Sequence, residues 1–189
     1  MNKIMQHSDK QLHLIHYYDK EIELSFYGYK DDNDNVVIKP IYQEAWDFSD
    51  GLAHVAKYSG NHGFINTSGE MVISLKKDVL VYGDFQEGLC VVRAGKGHKA
   101  GFIDRIGAMV IPPKFDGARG FDHGVAPVSK GDPTSNSWGI IDRTGKFIIQ
   151  PKYKIIDNGG YWSTEDGLIR LLDGDETCYF DLNGKHVQK

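Results

Sequence analysis

The chain has 189 residues, a net charge of −4 at neutral pH, and a composition that is 40% hydrophobic and 25% charged. This composition is typical of a folded globular protein, and the acidic balance disfavours nucleic acid as a partner, because nucleic-acid binding usually requires a basic face. No apolar run reaches the roughly 18 residues of a membrane-spanning helix, and the N-terminus lacks the apolar core of a secretory signal. We therefore expect a cytoplasmic protein with no membrane or nucleic-acid partner.

The first predicted element is a β-hairpin near the N-terminus. Residues 12–18 and 21–26 are rich in aromatic and β-branched side chains, which favour strands. A lone repeat cannot bury its apolar face, so the ends of a repeat array need a cover. We therefore interpret residues 1–26 as a capping segment.

The rest of the chain repeats one unit at intervals of 38 residues, which Gly63, Gly101 and Gly139 mark. A fixed period in this range is typical of a repeat array. Each of these glycines opens an apolar strand, an Asp/Asn-x-x-Gly turn at 66–69, 104–107 or 142–145, and a second apolar strand. Asp or Asn accepts backbone N–H groups in such a turn, and glycine adopts the left-handed conformation that closes a hairpin. The pattern therefore predicts one hairpin in each unit.

The second half of the unit is a looser motif, Phe-x-x-Gly, that leads into a third strand. Its phenylalanines are Phe48, Phe85 and Phe121, and we assign all three to the core. Prolines at 40, 113 and 151 stand between the two halves. Because proline cannot donate to a strand ladder, we expect these prolines to end the second strand. Each repeat is thus predicted to contain about three short strands.

The predicted fold class is all-β: an array of about four antiparallel hairpin or meander repeats of ~38 residues with an N-terminal β cap. The predicted divisions are a cap at 1–26, a degenerate repeat at 27–62, repeats at 63–100, 101–138 and 139–177, and a truncated copy at 178–189. The pattern contains no segment with a convincing helical period.

The most complete copy reads Trp138-Gly139-Ile140-Ile141-Asp142-x-x-Gly145, followed by Ile149-x-Pro151-x-Tyr153. This pattern resembles the WG repeat, also called the KWG repeat, over roughly residues 28–184. Only this copy carries the Trp-Gly pair, and the copy that begins at Gly63 lacks the proline. The resemblance implies an all-β scaffold, mostly bacterial, that is often inferred to mediate binding. It implies no catalytic residue for this chain.

The candidates for metal or cofactor chemistry have simpler interpretations. The acidic run 31–35 looks like a calcium loop, but the positions that need glycine and glutamate hold Val36 and Tyr42. His13 and His16 are three residues apart, which places them on opposite faces of a strand. Cys90 and Cys178 fit no zinc spacing and are expected to be reduced thiols. We expect no metal, no cofactor and no catalytic residue.

The candidate binding residues are those that break the repeat. Trp46 aligns with Arg119, so the position tolerates charge and is expected to be exposed. Tyr161, Trp162 and Glu165 belong to a stretched loop in the last full repeat, and long loops on rigid scaffolds often bind ligands. The alternative is that both tryptophans cover the ends of the apolar core.

The expected function is non-catalytic binding, with a protein partner ahead of a small ligand, in an adaptor or immunity-type role. Carbohydrate or peptidoglycan recognition is the alternative, because Trp162 beside Glu165 offers an aromatic platform next to a carboxylate. A hydrolytic enzyme is the third class, for which Asp and His residues in loops are the only candidate catalytic residues.

Overall fold

The computed structural model describes residues 11–135, 137–156, 162, 164 and 167–188. These residues form strands and turns and contain no α-helix, so none of them belongs to a helix that crosses a membrane. The strands are β1 (His13–Asp19), β2 (Leu24–Lys30), β3 (Val36–Tyr42), β4 (Glu44–Ala45), β5 (Leu52–Ala56), β6 (His62–Asn66), β7 (Met71–Leu75), β8 (Leu80–Val81), β9 (Leu89–Ala94), β10 (Lys99–Asp104), β11 (Met109–Phe115), β12 (Gly117–Ala118), β13 (Val125–Ser129), β14 (Trp138–Asp142), β15 (Phe147–Ile155), β16 (Leu168–Asp173), β17 (Glu176–Asp181) and β18 (His186–Val187). The all-β prediction is confirmed.

The chain forms two compact units, Met1–Lys77 and Asp78–Lys189. Unit 1 contains the sheets β1-β2-β3 and β4-β5-β6-β7, and unit 2 contains β8-β9-β10-β11 and a seven-stranded sheet from β12 to β18. Within each sheet, every strand pairs antiparallel with the next strand in the chain, as in a meander. The sheets β4–β7 and β8–β11 each take two strands from each of two successive sequence repeats. The interval from Gly63 to Gly101 contains the four strands β6 to β9, where about three were predicted. The predicted N-terminal hairpin is present, and its second strand, β2, continues across residue 27 into the first repeat.

The Asp/Asn-x-x-Gly turn has one geometry throughout the chain. In the turn after β14, Gly145 N–H donates to Asp142 O at 2.9 Å, and Asp142 Oδ1 accepts from the N–H groups of Thr144 and Lys146 at 2.9 and 3.1 Å. The turns that begin at Asp31, Asn66, Asp104 and Asp181 repeat the same bonds. The carboxylate or amide thus satisfies N–H groups that the tight turn would leave unpaired.

The Phe-x-x-Gly motif is a second hairpin turn, of a type that the sequence pattern alone did not predict. Ser49 and Leu52 exchange two backbone hydrogen bonds, at 2.9 and 3.0 Å, across Asp50 and Gly51. Both central residues have positive φ, 49° and 72°, which defines a type I′ turn. The equivalent turns have Glu87–Gly88 and His123–Gly124 at the centre, with the same sign of φ.

The prediction that proline ends the second strand is wrong. β15 continues through Pro151, because Trp138 pairs with Tyr153 and Ile140 pairs with Ile149, which leaves residues 150–152 opposite Gly139 alone. Proline sits in this bulge, where its missing N–H costs no ladder bond. β3 and β11 pass through their prolines in the same way, opposite Gly28 and Gly101.

Close approach of the second strand explains why the repeat opens with glycine, both at this bulge and at Gly63, where an added Cβ would lie 1.9 Å from Ile73 O. A Cβ added at Gly139 would lie 2.4 Å from Ile149 O and 2.8 Å from the nitrogen of Pro151. Equivalent clashes occur at Gly28 and Gly101. Any side chain at these positions would push the two strands apart.

The copy that lacks the proline also lacks the bulge at its opening glycine. Gly63 pairs one-to-one with Ser74, and β7 ends at Leu75. The boundary between the two units lies just after this strand in the chain, between Lys77 and Asp78. In the neighbouring copies the bulged strand instead leads within a few residues into the first strand of the next sheet.

The core of each unit consists of the inward-facing positions of these strands. In unit 1 the central cluster includes Tyr29, Tyr42, Val55 and Ile65, with Phe48 packed against it. In unit 2 one cluster contains Phe102, Phe115 and Phe121, and another surrounds Ile140, Ile169 and Phe180. Phe85 and Phe121 are fully buried, as predicted, whereas Phe48 is half-buried.

Candidate interaction surface

Trp46 follows β4, and its side chain is 42% exposed, as the alignment with Arg119 predicted. Backbone bonds fix its position, since Trp46 N–H donates to His54 O at 3.1 Å and the Tyr29 hydroxyl donates to Trp46 O at 2.7 Å. The indole stacks on the imidazole of His54 at a centroid distance of 4.5 Å. Trp46 is therefore an exposed aromatic side chain on a rigid base.

Two histidines extend this base across the sheet. His62 Nε2 lies 3.1 Å from Lys76 O, so this nitrogen carries the hydrogen, because a carbonyl only accepts. His62 Nδ1 is then the acceptor for the N–H of His54 Nε2, at 3.2 Å. In this scheme His54 Nε2 is the donor and His62 Nδ1 the acceptor, so a proton on His62 Nδ1 would break the bond.

Burial and, to a smaller extent, the nearby His62 together lower the pKa of His54 to about 4. The Trp46 ring on one side and Phe64, at 5.4 Å between centroids, on the other restrict access of water to the imidazole. His54 therefore remains neutral at physiological pH and acts as a flat support for the indole.

A second exposed apolar feature recurs with the repeat. The first two residues of the strands β3, β7 and β11, which follow the Asp/Asn-x-x-Gly turns, are exposed: Val36, Val37, Met71, Val72, Met109 and Val110. The third residue of each strand is buried in every copy: Ile38, Ile73 and Ile111. The sequence shows the apolar triplet, but it does not show that the first two positions face outward.

The other predicted binding residues are Tyr161, Trp162 and Glu165. Tyr161 and Glu165 lie outside the described residues, and Trp162 belongs to unit 2. The Trp162 ring packs against the cluster of Ile140, Ile169 and Phe180, and its buried indole N–H has no hydrogen-bond partner among the described residues. This placement resembles the core-covering alternative, while the role of Trp162 in binding stays a prediction.

One group in unit 2 combines the residue types of a catalytic triad. Asp122 Oδ2 accepts from Thr164 N–H at 2.6 Å and from Thr164 Oγ1 at 2.9 Å, and His123 Nδ1 lies 2.9 Å from Asp122 Oδ1. Burial opposes ionisation of Asp122, but these bonds outweigh it and hold the pKa of the carboxyl below its usual range.

The geometry of this group is that of a loop anchor. In a triad, one ring nitrogen of histidine faces the nucleophile and the other faces the acid. Here His123 Nδ1 faces both Asp122 and Thr164, and Thr164 is fully buried. The Thr164 hydroxyl donates to the carboxylate, so the arrangement holds Thr164 itself in place.

The remaining candidates for chemistry have structural surroundings. The Asp31 turn has the bonds of the other repeat turns, and no group of three or more His, Cys, Asp or Glu among the described residues is placed to hold a metal ion. Cys90 is buried like Ala53 and Ala126, its thiol lies 3.1 Å from Gly83 O, and burial raises its pKa strongly. Cys178 is also a free thiol.

Comparison with known proteins agrees with the repeat geometry. No curated protein matches the chain. The family model described as the WG containing repeat matches residues 27–58, 63–96, 101–132 and 138–161, which together are more than half of the chain. The four matches contain the opening glycines and the hairpin turns described above. The chain is a member of the WG containing repeat family.

Proposed function

We propose that this protein is a non-catalytic interaction module whose partner is another protein, in an adaptor or immunity-type role in the cytoplasm. The observation that carries the proposal is Trp46, an exposed indole whose ring and backbone are both held by neighbouring residues. Tryptophan is enriched among the residues that dominate protein–protein binding energy.

The rigidity of Trp46 supports this role energetically. Binding costs conformational entropy when a mobile side chain is fixed at an interface. Stacking on His54 and the two backbone bonds of Trp46 hold the indole before any partner arrives. A preorganised indole therefore loses less conformational entropy on binding and contributes more to the binding free energy than a mobile indole of the same buried area.

The exposed apolar pairs on the repeat strands support a protein partner in the same way. Val36 and Val37 of β3 and Met71 and Val72 of β7 occupy equivalent positions in successive repeats of unit 1. A repeat scaffold that exposes an apolar pair on the equivalent strand of each successive repeat is able to contact an extended surface of a partner protein.

Affinity capture tests the proposal. The tagged protein is incubated with lysate of its own source, and captured proteins are quantified by mass spectrometry. We expect one protein in stoichiometric amount, reduced at least about tenfold by Trp46→Ala, because loss of a central aromatic anchor costs 1.4 kcal/mol or more. Tyr17→Ala is the matched control, since Tyr17 is an exposed aromatic residue of the same unit, 53% exposed.

Two outcomes contradict the proposal. If nothing is captured above the level of an untagged control, the adaptor role is wrong. If the captured protein is retained equally by Trp46→Ala while the variant has a native circular dichroism spectrum, Trp46 is not the anchor. Trp162→Ala tests the second predicted anchor, and its thermal unfolding is measured in parallel because Trp162 packs against the core of unit 2.

A further inference from the structure

An open cleft of about 560 Å³ lies in unit 1, beside the start of β1. We call it the capped-end cleft, and its lining residues are Gln11, Leu12, His13, Asp47, Phe48, Gly51 and Thr67. Its volume is within the range of about 300 to 1,000 Å³ that is usual for small-molecule sites. Trp46 does not line it.

The repeat itself shows why this cleft is open. In the sheet of β13 and β14, the residue after Asp142 is Arg143, whose guanidinium lies 5.5 Å from the centroid of the Phe121 ring. Arg143 also donates to Glu87 O at 2.9 Å and lies 3.3 Å from Glu87 Oε2. The arginine thus covers the phenylalanine of its own sheet and is tied to the type I′ turn of the preceding repeat.

The equivalent residue in unit 1 is Thr67, which follows Asn66 as Arg143 follows Asp142. Threonine is too short to cover Phe48, the counterpart of Phe121. Phe121 is 2% exposed, whereas Phe48 is half-buried and lines the cleft, with one edge packed on Tyr29 at 4.8 Å between centroids. One substitution within the repeat therefore accounts for an uncovered aromatic ring at this position.

The lining chemistry indicates the class of ligand. Around the apolar surface of Leu12 and Phe48, the cleft presents an amide from Gln11, an imidazole from His13, a carboxylate from Asp47 and a hydroxyl from Thr67. His13 Nε2 bonds Asp32 Oδ1 at 2.7 Å, which orients the imidazole ring. The set offers both donors and acceptors, and no lysine or arginine is among the described residues that line the cleft.

From this arrangement we infer that the capped-end cleft binds a neutral polyhydroxylated ligand, that is, a mono- or oligosaccharide. Hydroxyl groups donate to the Asp47 carboxylate and accept from the Gln11 amide, and the apolar face of a sugar ring packs on Phe48. This activity is separate from the proposed protein interaction, because the two use different side chains.

The test uses saturation-transfer NMR on the full chain with glucose, N-acetylglucosamine, and the β-1,4-linked dimers and trimers of each. Binding constants of any positive saccharide are then measured by isothermal titration calorimetry. Thr67→Arg fills the cleft as Arg143 fills its counterpart, and Asp47→Asn removes the carboxylate. Ser68→Arg is the matched control, because it adds the same charge one residue away, on an exposed residue outside the lining.

We expect at least one saccharide to give saturation transfer, and we expect Thr67→Arg and Asp47→Asn each to weaken it at least about tenfold, as loss of a charge-assisted hydrogen bond does. Ser68→Arg should leave the affinity within about twofold. The inference is wrong if no saccharide binds at 10 mM, roughly the weakest affinity of interest. It is equally wrong if a bound saccharide is insensitive to both lining variants, or if Ser68→Arg weakens binding as much as Thr67→Arg.

Discussion

The indole of Trp46 and the imidazole of His54 lie in one stack, with centroids 4.5 Å apart and an angle of 30° between the ring planes. The stack joins the exposed surface of unit 1 to a partly buried hydrogen bond, because His54 also bonds His62. The support for the proposed anchor therefore depends on the protonation state of His54.

The first prediction concerns pH. Folding lowers the pKa of His54 from its ordinary 6.5 to about 4, so the unfolded chain binds the proton first as the pH falls. The contribution of neutral His54 to the free energy of unfolding is complete above pH 6.5. It is lost progressively between pH 6.5 and 4, by about 2 to 3 kcal/mol once partial exposure is discounted. Urea unfolding at a series of pH values measures it.

His54→Gln is the control for this pH dependence, because glutamine retains a hydrogen-bond donor and does not titrate. The free energy of unfolding of this variant should change less between pH 6.5 and 4.5 than that of the wild type. An equal change in the two proteins would show that other groups cause it.

The second prediction concerns the opening glycine of the repeat. Gly139→Ala places a Cβ 2.4 Å from Ile149 O, and the backbone of the bulge cannot move away without breaking strand pairing. We expect a loss of about 3 kcal/mol or more in the free energy of unfolding, measured by chemical denaturation. Gly83→Ala is the control, because a Cβ there meets nothing within 4 Å. Similar stabilities of the two variants would refute the bulge explanation.

The third prediction concerns the turn acid. Asp142→Ala removes the acceptor for Thr144 N–H, Thr144 Oγ1 and Lys146 N–H, and should destabilise the protein by about 1 kcal/mol or more. Asp142→Asn should cost less, because Asn66 makes the same turn with an amide oxygen. Thermal unfolding of both variants measures the difference. An alanine variant as stable as the asparagine variant would contradict the role of Asp142 as the hydrogen-bond acceptor of the turn.

The fourth prediction concerns the first turn of the array. Asp34 occupies the position that Gly69 and Gly145 hold in later repeats, and its φ is 64°, in the left-handed region. Glycine adopts this conformation without the strain of a Cβ, so Asp34→Gly should raise the denaturation midpoint, despite losing the exposed ion pair with Lys30. Asp34→Val should lower it. A glycine variant that is less stable than the wild type would show that the Lys30 contact matters more than backbone strain.

Much of the fold could be predicted from the sequence because the repeat carries its own chemistry. The turn from Asp142 to Gly145 needs an acceptor at its start and a left-handed residue at its end, and both are visible in the sequence. The hairpins and the N-terminal cap strand followed from the same pattern.

The bulge could not be predicted because it depends on pairing between strands. Pro151 alone suggests the end of a strand, and only the register of Trp138 with Tyr153 shows that the strand continues past it. The type I′ geometry of the Phe-x-x-Gly turn could not be predicted either. Its first central residue has positive φ, and Asp50, Glu87 and His123 do not require this conformation as glycine often does.

The candidate surfaces were only partly visible for the same reason. Exposure of Trp46 followed from its alignment with Arg119, but its contact with His54 depends on strand register. The capped-end cleft could not be predicted, because the contact of Arg143 with Phe121, which Thr67 cannot make with Phe48, is visible only in the three-dimensional structure.

Photo-crosslinking from position 46 tests the central claim, that Trp46 contacts a protein partner, most directly. Trp46 is replaced by p-benzoylphenylalanine in cells of the source, with Tyr17 replaced in the same way as the control, since both residues are exposed aromatics of unit 1. The account predicts one discrete, light-dependent adduct from position 46 that is absent from position 17. No adduct from position 46, or the same adducts from both positions, would contradict it.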